Sequence, residues 1–518
     1  MALYFPSLPQ EAVQIVAVAA IICCLSYLVI SRGARDRLQF PPGPPRPPQS
    51  GSPPWIQYQE LSKRYGPLMS VQNGTATTII VSSWELVRTH LERKNTIYSH
   101  RPPFPFFERV TGGLNASVLP YGETWKAHRT LRSTVLKPSM TVRYRDIQHV
   151  EITQLLYDLM HHDSDRDFSL AIRRCIASVF ITLAYGTRVE HIDDPEIEEM
   201  ETINQKIAVA SEAVVAGAGG GIVRRLLSLF FPSSSRSWES QADILHTQIT
   251  AVLEARASAA LAKPGWNWAK EIQANAAKSP QDLRLDHKEL SHFLGGLYEA
   301  AMAPYQALRI IIAAAILFPE AMKRVQDELD ETIGAERLPD FADCERLPWT
   351  NAFIRESLRW RSLTPLAGPR AAFQEDTCMG YRIPRDATVL VNTYAIDHDE
   401  DVFPDSHKFR LERWIQDPSL PVTIYSFGQR GCPGRHMGQD SLFLATARLL
   451  WAFDIQSGEA TGLDEDKLLQ SAYGTSISSF VAVFKAKFVP QSEQHRQVVE
   501  RMWKAADKDG SSLLADIV

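Results

Sequence analysis

The chain has 518 residues, 45% hydrophobic and 22% charged, a globular composition that excludes a wholly disordered protein. Its 55 basic and 60 acidic side chains give a formal net charge of −5, so there is no basic field to grip nucleic acid, and no nucleic-acid partner is expected. Six cysteines are too few for a disulfide scaffold, and no CxxC pair occurs, which excludes the usual structural zinc sites.

Residues 12–30 read AVQIVAVAAIICCLSYLVI, nineteen residues without a formal charge. At about 1.5 Å per residue, that run is long enough for one helix to cross a hydrocarbon core of roughly 30 Å. Arg32, Arg35 and Arg37 follow it, whereas Glu11 is the only charged side chain before it. The excess of positive charge after the span places the remainder in the cytosol. A cleaved signal fits poorly, because the apolar run is too long and the basic residues come after it. Residues 1–38 are therefore expected to form a single-pass membrane anchor with a basic flank. Residues 39–54 follow as a proline-rich hinge, with six prolines between Pro41 and Pro48 favouring a stiff spacer. The sequons at Asn73 and Asn115 would carry glycans only on a lumenal domain, so a cytosolic body leaves them unused.

Residues 55–518 carry no internal repeat and no second linker, so one catalytic body is expected. Short β-branched runs such as residues 77–81 follow a helix-like stretch, and from about residue 120 to 355 the apolar spacing is helical. Residues 308–317 are so apolar that their helix should be buried on most sides. Residues 216–231 contain a glycine run without the pattern of a phosphate loop, which reads as a flexible loop with an apolar, membrane-touching end. After Pro365 the pattern turns to short strands and turns, then to a last helix from about residue 435 to 453. The tail residues Asp507 and Asp509 lack the spacing of a calcium loop.

The chemical signal is Tyr425-Ser-Phe-Gly428-Gln-Arg430-Gly-Cys432-Pro-Gly434. Glycines on both sides of one cysteine let the backbone fold tightly around it, and an arginine two residues away faces something anionic. Pro433 removes one donor, leaving later amides such as that of Gly434 to point at the sulfur. A helix N-terminus directly afterwards favours a thiolate. This stretch resembles the signature of the cytochrome P450 haem-thiolate monooxygenases, Phe-x-x-Gly-x-Arg-x-Cys-x-Gly, with Tyr425 in place of phenylalanine.

The resemblance extends over nearly the whole chain and implies a mostly α fold with small β-sheets, the cytochrome P450 fold, preceded by one N-terminal transmembrane helix. It implies haem as cofactor with Cys432 as the axial ligand of its iron. Glu356-Ser-Leu-Arg359 looks like the family's Glu-x-x-Arg helix, completed as a structural triad by Arg413; Leu411 stands where the family usually has proline. Trp125 and Arg129, one helical turn apart, resemble the family's Trp-x-x-x-Arg motif, and with Arg370 and Arg430 they are expected to bind the haem propionates. No flavin or nicotinamide fingerprint occurs, so electrons are expected from an NADPH-dependent reductase in the same endoplasmic-reticulum membrane, the catalytic body facing the cytosol. A small apolar substrate and a fungal biosynthetic role fit the pattern.

The chain departs most from the family on the long helix that the resemblance places over the haem. Members that activate dioxygen usually carry an acid followed by an alcohol there. In one register these positions fall on Met302 and Ala303, in the other on Ala303 and Pro304, and no Ser or Thr occurs between His292 and Pro319. Pro304 removes the bond to the Ala300 carbonyl and is expected to kink the helix. Glu299 lies about one turn earlier, at a spacing that differs from the family's. Three readings stay open: an oxygen-activating monooxygenase; a haem-thiolate enzyme with atypical chemistry such as isomerisation, dehydration, coupling or peroxide use; and a non-catalytic haem protein.

Overall fold

The computed structural model describes residues 39–45, 52–74, 76–161, 167–215, 238–278, 285–458, 463 and 481–517. The expected anchor within residues 1–38 and the glycine-rich segment at 216–231 lie outside the described residues. The body is mainly helical, with a four-stranded sheet and two hairpins.

The helix Pro54–Tyr65 leads into strands β1 (Leu68–Asn73) and β2 (Ala76–Val81), which pair antiparallel. The β-branched run in β2 buries Ile79, Ile80 and Val81. Two late strands join this sheet: β3 (Arg370–Ala371), and β6 (Thr388–Val391), which lies parallel to β2 and carries β3 at its outer side with Arg370 opposite Val389. The first hairpin beside it pairs β4 (Asp376–Cys378) with β5 (Tyr381–Ile383). The start of the proline-rich segment is docked on the sheet and does not stand free. The Pro41 and Pro42 carbonyls accept from the Ser70 hydroxyl and amide at 2.7 and 3.0 Å. Gly43 passes so close to the Ser70 carbonyl that a Cβ there would overlap it.

The helical part is organised around His287–Leu317, a helix of 31 residues and about 46 Å. Asp286 caps it through the Glu289 amide at 2.7 Å, and Glu289 returns the contact to the Asp286 amide at 3.0 Å. Its first half packs with the helices Glu123–Leu136, Ser169–Tyr185 and Trp238–Ala262 in one core. Its second half, buried continuously from Ala307 to Ala315, packs with Pro348–Trp360 and Arg435–Ala452 in another. The helix continues unbroken through Pro304. Between the two cores Ala300 and Ala303 are exposed on one side of the helix.

Arg435–Ala452 is not the last helix. After the hairpin of β7 (Phe453–Ser457) and β8 (Ala486–Pro490) come Glu493–Ala505 and Gly510–Ala515. The first is strongly amphipathic and reaches the core mainly through Val498 and Val499. Asp507 and Asp509 belong to the connection, where Asp509 caps the final helix through the Ser511 amide at 3.0 Å.

The tightest polar feature is Glu356, fully buried on Pro348–Trp360. Its two oxygens accept from Arg359 Nη2 and Nε, both at 2.8 Å, from Arg413 Nε at 3.2 Å, from Trp414 Nε1 at 2.9 Å and from the Arg410 amide at 2.8 Å. The two arginines spend their remaining donors on the carbonyls of Asp397, Pro404, Asp405, Ser406 and Lys408. A single carboxylate therefore folds residues 397–414 against the helix. Leu411 takes a proline-like φ of −72° and buries its side chain, so the turn forms without the ring. Glu356→Ala leaves two buried guanidiniums uncompensated. It should cost about 3–5 kcal/mol in urea unfolding, and a loss below about 1 kcal/mol would show that water replaces the carboxylate without penalty.

Asp397 lies beside this network, and burial pushes its carboxyl up to about 8 against the pull of the Thr423 and Ser362 hydroxyls and of Arg359. The native state therefore keeps a proton that an unfolded carboxyl releases near pH 4. Stability should fall as pH rises from about 4 to 8, because the native state binds the extra proton throughout that window. Asp397→Asn should remove this slope, read as the urea midpoint between pH 5 and 9; an unchanged slope assigns it to another group.

Candidate active site

The segment leading to Cys432 is a tight knot. Ser426 and Gly428 take positive φ of 56° and 61°, and Gly428 lies so near Asn95 that a Cβ would approach its Oδ1 to 2.7 Å. The Cys432 amide donates to the Tyr425 carbonyl at 2.8 Å, closing the loop, and Arg435–Ala452 starts three residues on, with Gly434 at its cap. The Cys432 side chain is exposed although protein surrounds the recess in which it sits. That enclosure pushes its thiol pKa up. The Gly434 amide, Arg129 and Arg435 pull it down, three positive influences that favour a thiolate. Among the described residues, no group of three or more His, Cys, Asp or Glu is placed to hold a metal ion, so the sulfur is the recess's own candidate donor.

Arg129 on Glu123–Leu136 senses the Cys432 charge and is half-buried. Trp125, one turn earlier, is buried and lies under Arg430, whose Cζ is 4.4 Å from the ring centroid. Arg430 donates to the carbonyls of Ser99 at 2.8 Å, Ala116 at 3.3 Å and Leu119 at 2.6 Å. Arg370, on the edge strand β3, turns its fork onto the cysteine-bearing segment, to Ser426 Oγ at 3.2 Å and the Phe427 carbonyl at 2.9 Å, and also to the Tyr98 carbonyl at 3.3 Å. The structure thus brings Trp125, Arg129, Arg370, Arg430 and Cys432 to one recess, with Arg370 also tying the sheet to the knot.

Arg101 joins them, a residue that no motif marks. It donates to the Ser117 carbonyl at 2.7 Å and to the Pro369 carbonyl. Burial pushes the pKa of Arg430 down to about 8, helped by the positive charges of Arg101, Arg370 and Arg129. Arg370 falls to about 9 through burial and Arg101, and Arg101 to about 10 through burial. Among the described residues, no carboxylate forms an ion pair with any of the four guanidiniums. A guanidinium resists deprotonation even so, and the combination is a site built for a dianion. Haem, with its two propionates and an iron that takes a thiolate, matches this donor set.

The cytochrome P450 family model matches residues 41–476. The chain is a cytochrome P450. It is 51% identical over 480 residues to fumitremorgin C synthase of Neosartorya fischeri, covering 90% of each chain. It is 39% identical over 508 residues to the echilunin cytochrome P450 monooxygenase of Aspergillus ruber, covering 97% of this chain and 93% of that one. A zebrafish cytochrome P450 structure with progesterone superposes with a TM-score of 0.72 at 22% identity, over 85% of this chain and all of the other, which shows the shared fold. This cytochrome P450 is therefore an oxidoreductase of a family that binds haem through a cysteine thiolate, and its relatives are fungal monooxygenases of secondary-metabolite biosynthesis.

The distal helix keeps its sequence anomaly in space. Ala303 is exposed, while Met302 packs against the core of the helix's first half and Pro304 is half-buried, so none of these positions supplies an acid or an alcohol. Glu299 is half-buried one turn before Ala303 and accepts from Asn115 Nδ2 at 2.7 Å. Burial raises its pKa, against the Asn115 hydrogen bond and the nearby Arg132. Asn115 is 7% exposed, so the second sequon is closed to a glycosylating enzyme in the folded state, whereas Asn73 at the β1–β2 turn is exposed. Asn115, Arg132 and Arg101 could not be found from sequence motifs. They come from separate segments and matter only through what they touch.

Proposed function

We propose that Cys432 is the axial thiolate of the haem, and that Arg129, Arg430 and Arg101 face its propionates, with Trp125 as the platform under Arg430 and Arg370 fixing the cysteine-bearing segment. One observation carries this reading: an exposed thiol at a helix N-terminus lies beside four guanidiniums that, among the described residues, form no ion pair with a carboxylate. Thiolate-bound haem supplies the capacity to activate dioxygen. The chain supplies the rest: the knot at residues 425–434 fixes the sulfur, the arginines orient the cofactor, and the open face around Ala300 and Ala303 admits substrate. Because Met302, Ala303 and Pro304 carry neither acid nor alcohol, proton delivery falls to ordered water or to a hydroxyl on the substrate.

The reading that follows is a monooxygenase acting on a small apolar molecule in fungal secondary metabolism. The likeness to fumitremorgin C synthase supports a substrate of related chemistry. Electrons come from an NADPH-dependent reductase, and residues 12–30 anchor the enzyme in the endoplasmic reticulum with its body in the cytosol. The absent distal pair favours a second reading on the same scaffold, in which the outcome is rearrangement, dehydration, coupling or desaturation in place of hydroxylation.

Reduced enzyme with carbon monoxide should show the long-wavelength Soret band of thiolate haem, and Cys432→Ala should lose it; a surviving band removes Cys432 from the role. Reconstituted with reductase, the enzyme should consume NADPH in response to substrate, and the product, hydroxylated or rearranged, separates the two readings. Removing residues 1–38 should release the protein from microsomal membranes, and a glycan found on Asn73 of the full chain would reverse the topology.

A further inference from the structure

The turn at residues 115–119 is the meeting point of two systems described separately above. On one side its carbonyls receive the guanidiniums: Ala116 and Leu119 accept from Arg430 at 3.3 and 2.6 Å, and Ser117 accepts from Arg101 at 2.7 Å. On the other side Asn115 Nδ2 donates to Glu299 Oε2 at 2.7 Å, reaching the distal helix. Asn115 also shapes the turn itself, its Oδ1 accepting from the Ser117 amide at 2.9 Å and the Ser117 hydroxyl at 2.6 Å. Its own carbonyl accepts from the amides of Val118 and Leu119, both at 3.2 Å.

The side-chain donors along this row run in one direction. The Ser117 hydroxyl donates to Asn115, and Asn115 donates to Glu299, so the carboxylate terminates a polarised chain. Glu299 has no ion pair within 4 Å among the described residues, and Arg132, the nearest countercharge, acts only through its field. A half-buried carboxylate without a salt bridge is an expensive way to fill a helix position, and a Leu or Ala would be cheaper if only packing mattered. What it contacts here is Asn115, whose turn presents the carbonyls of Ala116, Ser117 and Leu119 to the arginines.

We propose that Glu299 is a positioning residue for the haem site: through Asn115 it fixes the 115–119 turn, and through that turn the guanidiniums of Arg430 and Arg101. This rests on the reading that those arginines face the haem propionates. The distal helix and the propionate end of the site are thereby coupled by one side-chain hydrogen bond, although Glu299 itself contacts neither the sulfur nor the arginines.

The test is the rate at which the holoenzyme loses haem to excess apomyoglobin, followed by absorbance. Glu299→Ala should speed the loss about tenfold, the effect of one hydrogen bond, and Asn115→Ala by at least as much. The double variant should lose haem no faster than Asn115→Ala alone, because removing Asn115 already breaks the contact to Glu299 together with its own bonds to Ser117. Glu299→Gln, which keeps the acceptor for Asn115, should stay near the unsubstituted rate, a rescue that general loosening of the fold would not show. An unchanged rate in both alanine variants, additive effects in the double variant, or a Glu299→Gln enzyme as leaky as Glu299→Ala overturns the proposal. Arg430→Ala distinguishes the two levels. If it speeds haem loss and the Glu299 and Asn115 variants do not, the coupling fails and the arginine reading stands. If it leaves the rate unchanged, the arginine reading itself is wrong.

Discussion

The buried carboxylate of Glu356 is the constraint from which the rest of this structure follows. A charge removed from water must be met by donors on all sides, and here five meet it. Because those donors come from residues 359, 410, 413 and 414, satisfying one group fixes the path of a long irregular segment. The order then passes along hydrogen bonds toward the sulfur. Arg359 holds the Asp397 carbonyl, the Asp397 carboxyl receives the Thr423 hydroxyl at 2.8 Å, and Thr423 opens the short turn whose last residue, Tyr425, closes the loop on the Cys432 amide. A reactive cysteine on a loop needs such a foundation, since loops carry few packing contacts of their own.

The recess above Cys432 obeys a different logic. Where Glu356 is over-satisfied, the guanidiniums of Arg101, Arg370 and Arg430 are held by carbonyls, with Arg129 near them and, among the described residues, no ion-paired carboxylate. Burial and mutual repulsion make this arrangement unfavourable by itself, and the depressed pKa of Arg430 records it. A site that holds like charges in place with neutral acceptors is preorganised for a ligand of the opposite sign, because those carbonyls fix orientation without neutralising charge. The stability given up there is returned when an anion enters, which links the folding of this region to cofactor binding.

How much of this was legible in the sequence depended on whether the signal was local. The knot around Cys432 could be read because glycines flank the cysteine at fixed spacing, and the backbone does fold tightly there, with Gly428 at positive φ. The i,i+3 pair Glu356 and Arg359 and the i,i+4 pair Trp125 and Arg129 follow helix geometry, so their shared faces could be foreseen. The apolar run at 308–317 was buried as its composition required. Other features were not local. Arg101 sits beside Arg430 only because residues 97–100 run along β3, where the Ala371 amide donates to the His100 carbonyl at 2.9 Å. Asn115 reads as part of a sequon and is in fact an internal strut. The helix Glu493–Ala505 is mostly charged and polar, with an apolar stripe centred on Val498 and Val499 that only its docking on the core makes meaningful.

The distal helix shows why an absent motif is itself a physical statement. A helix interior without Ser, Thr, Asp or Glu at positions 302–304 offers a reacting centre only its backbone, and Pro304 alters that backbone. Lacking an amide hydrogen, Pro304 leaves the Ala300 carbonyl without its partner one turn on, at the point where Ala300 and Ala303 are exposed. A carbonyl accepts and never donates. The helix can therefore orient a water or a substrate hydroxyl from this carbonyl, but it holds no proton of its own to give. Glu299, the nearest acid along the helix, has one oxygen engaged by Asn115 and directed toward the loop. Positions 302–304 therefore offer a backbone acceptor and no side-chain acid or alcohol.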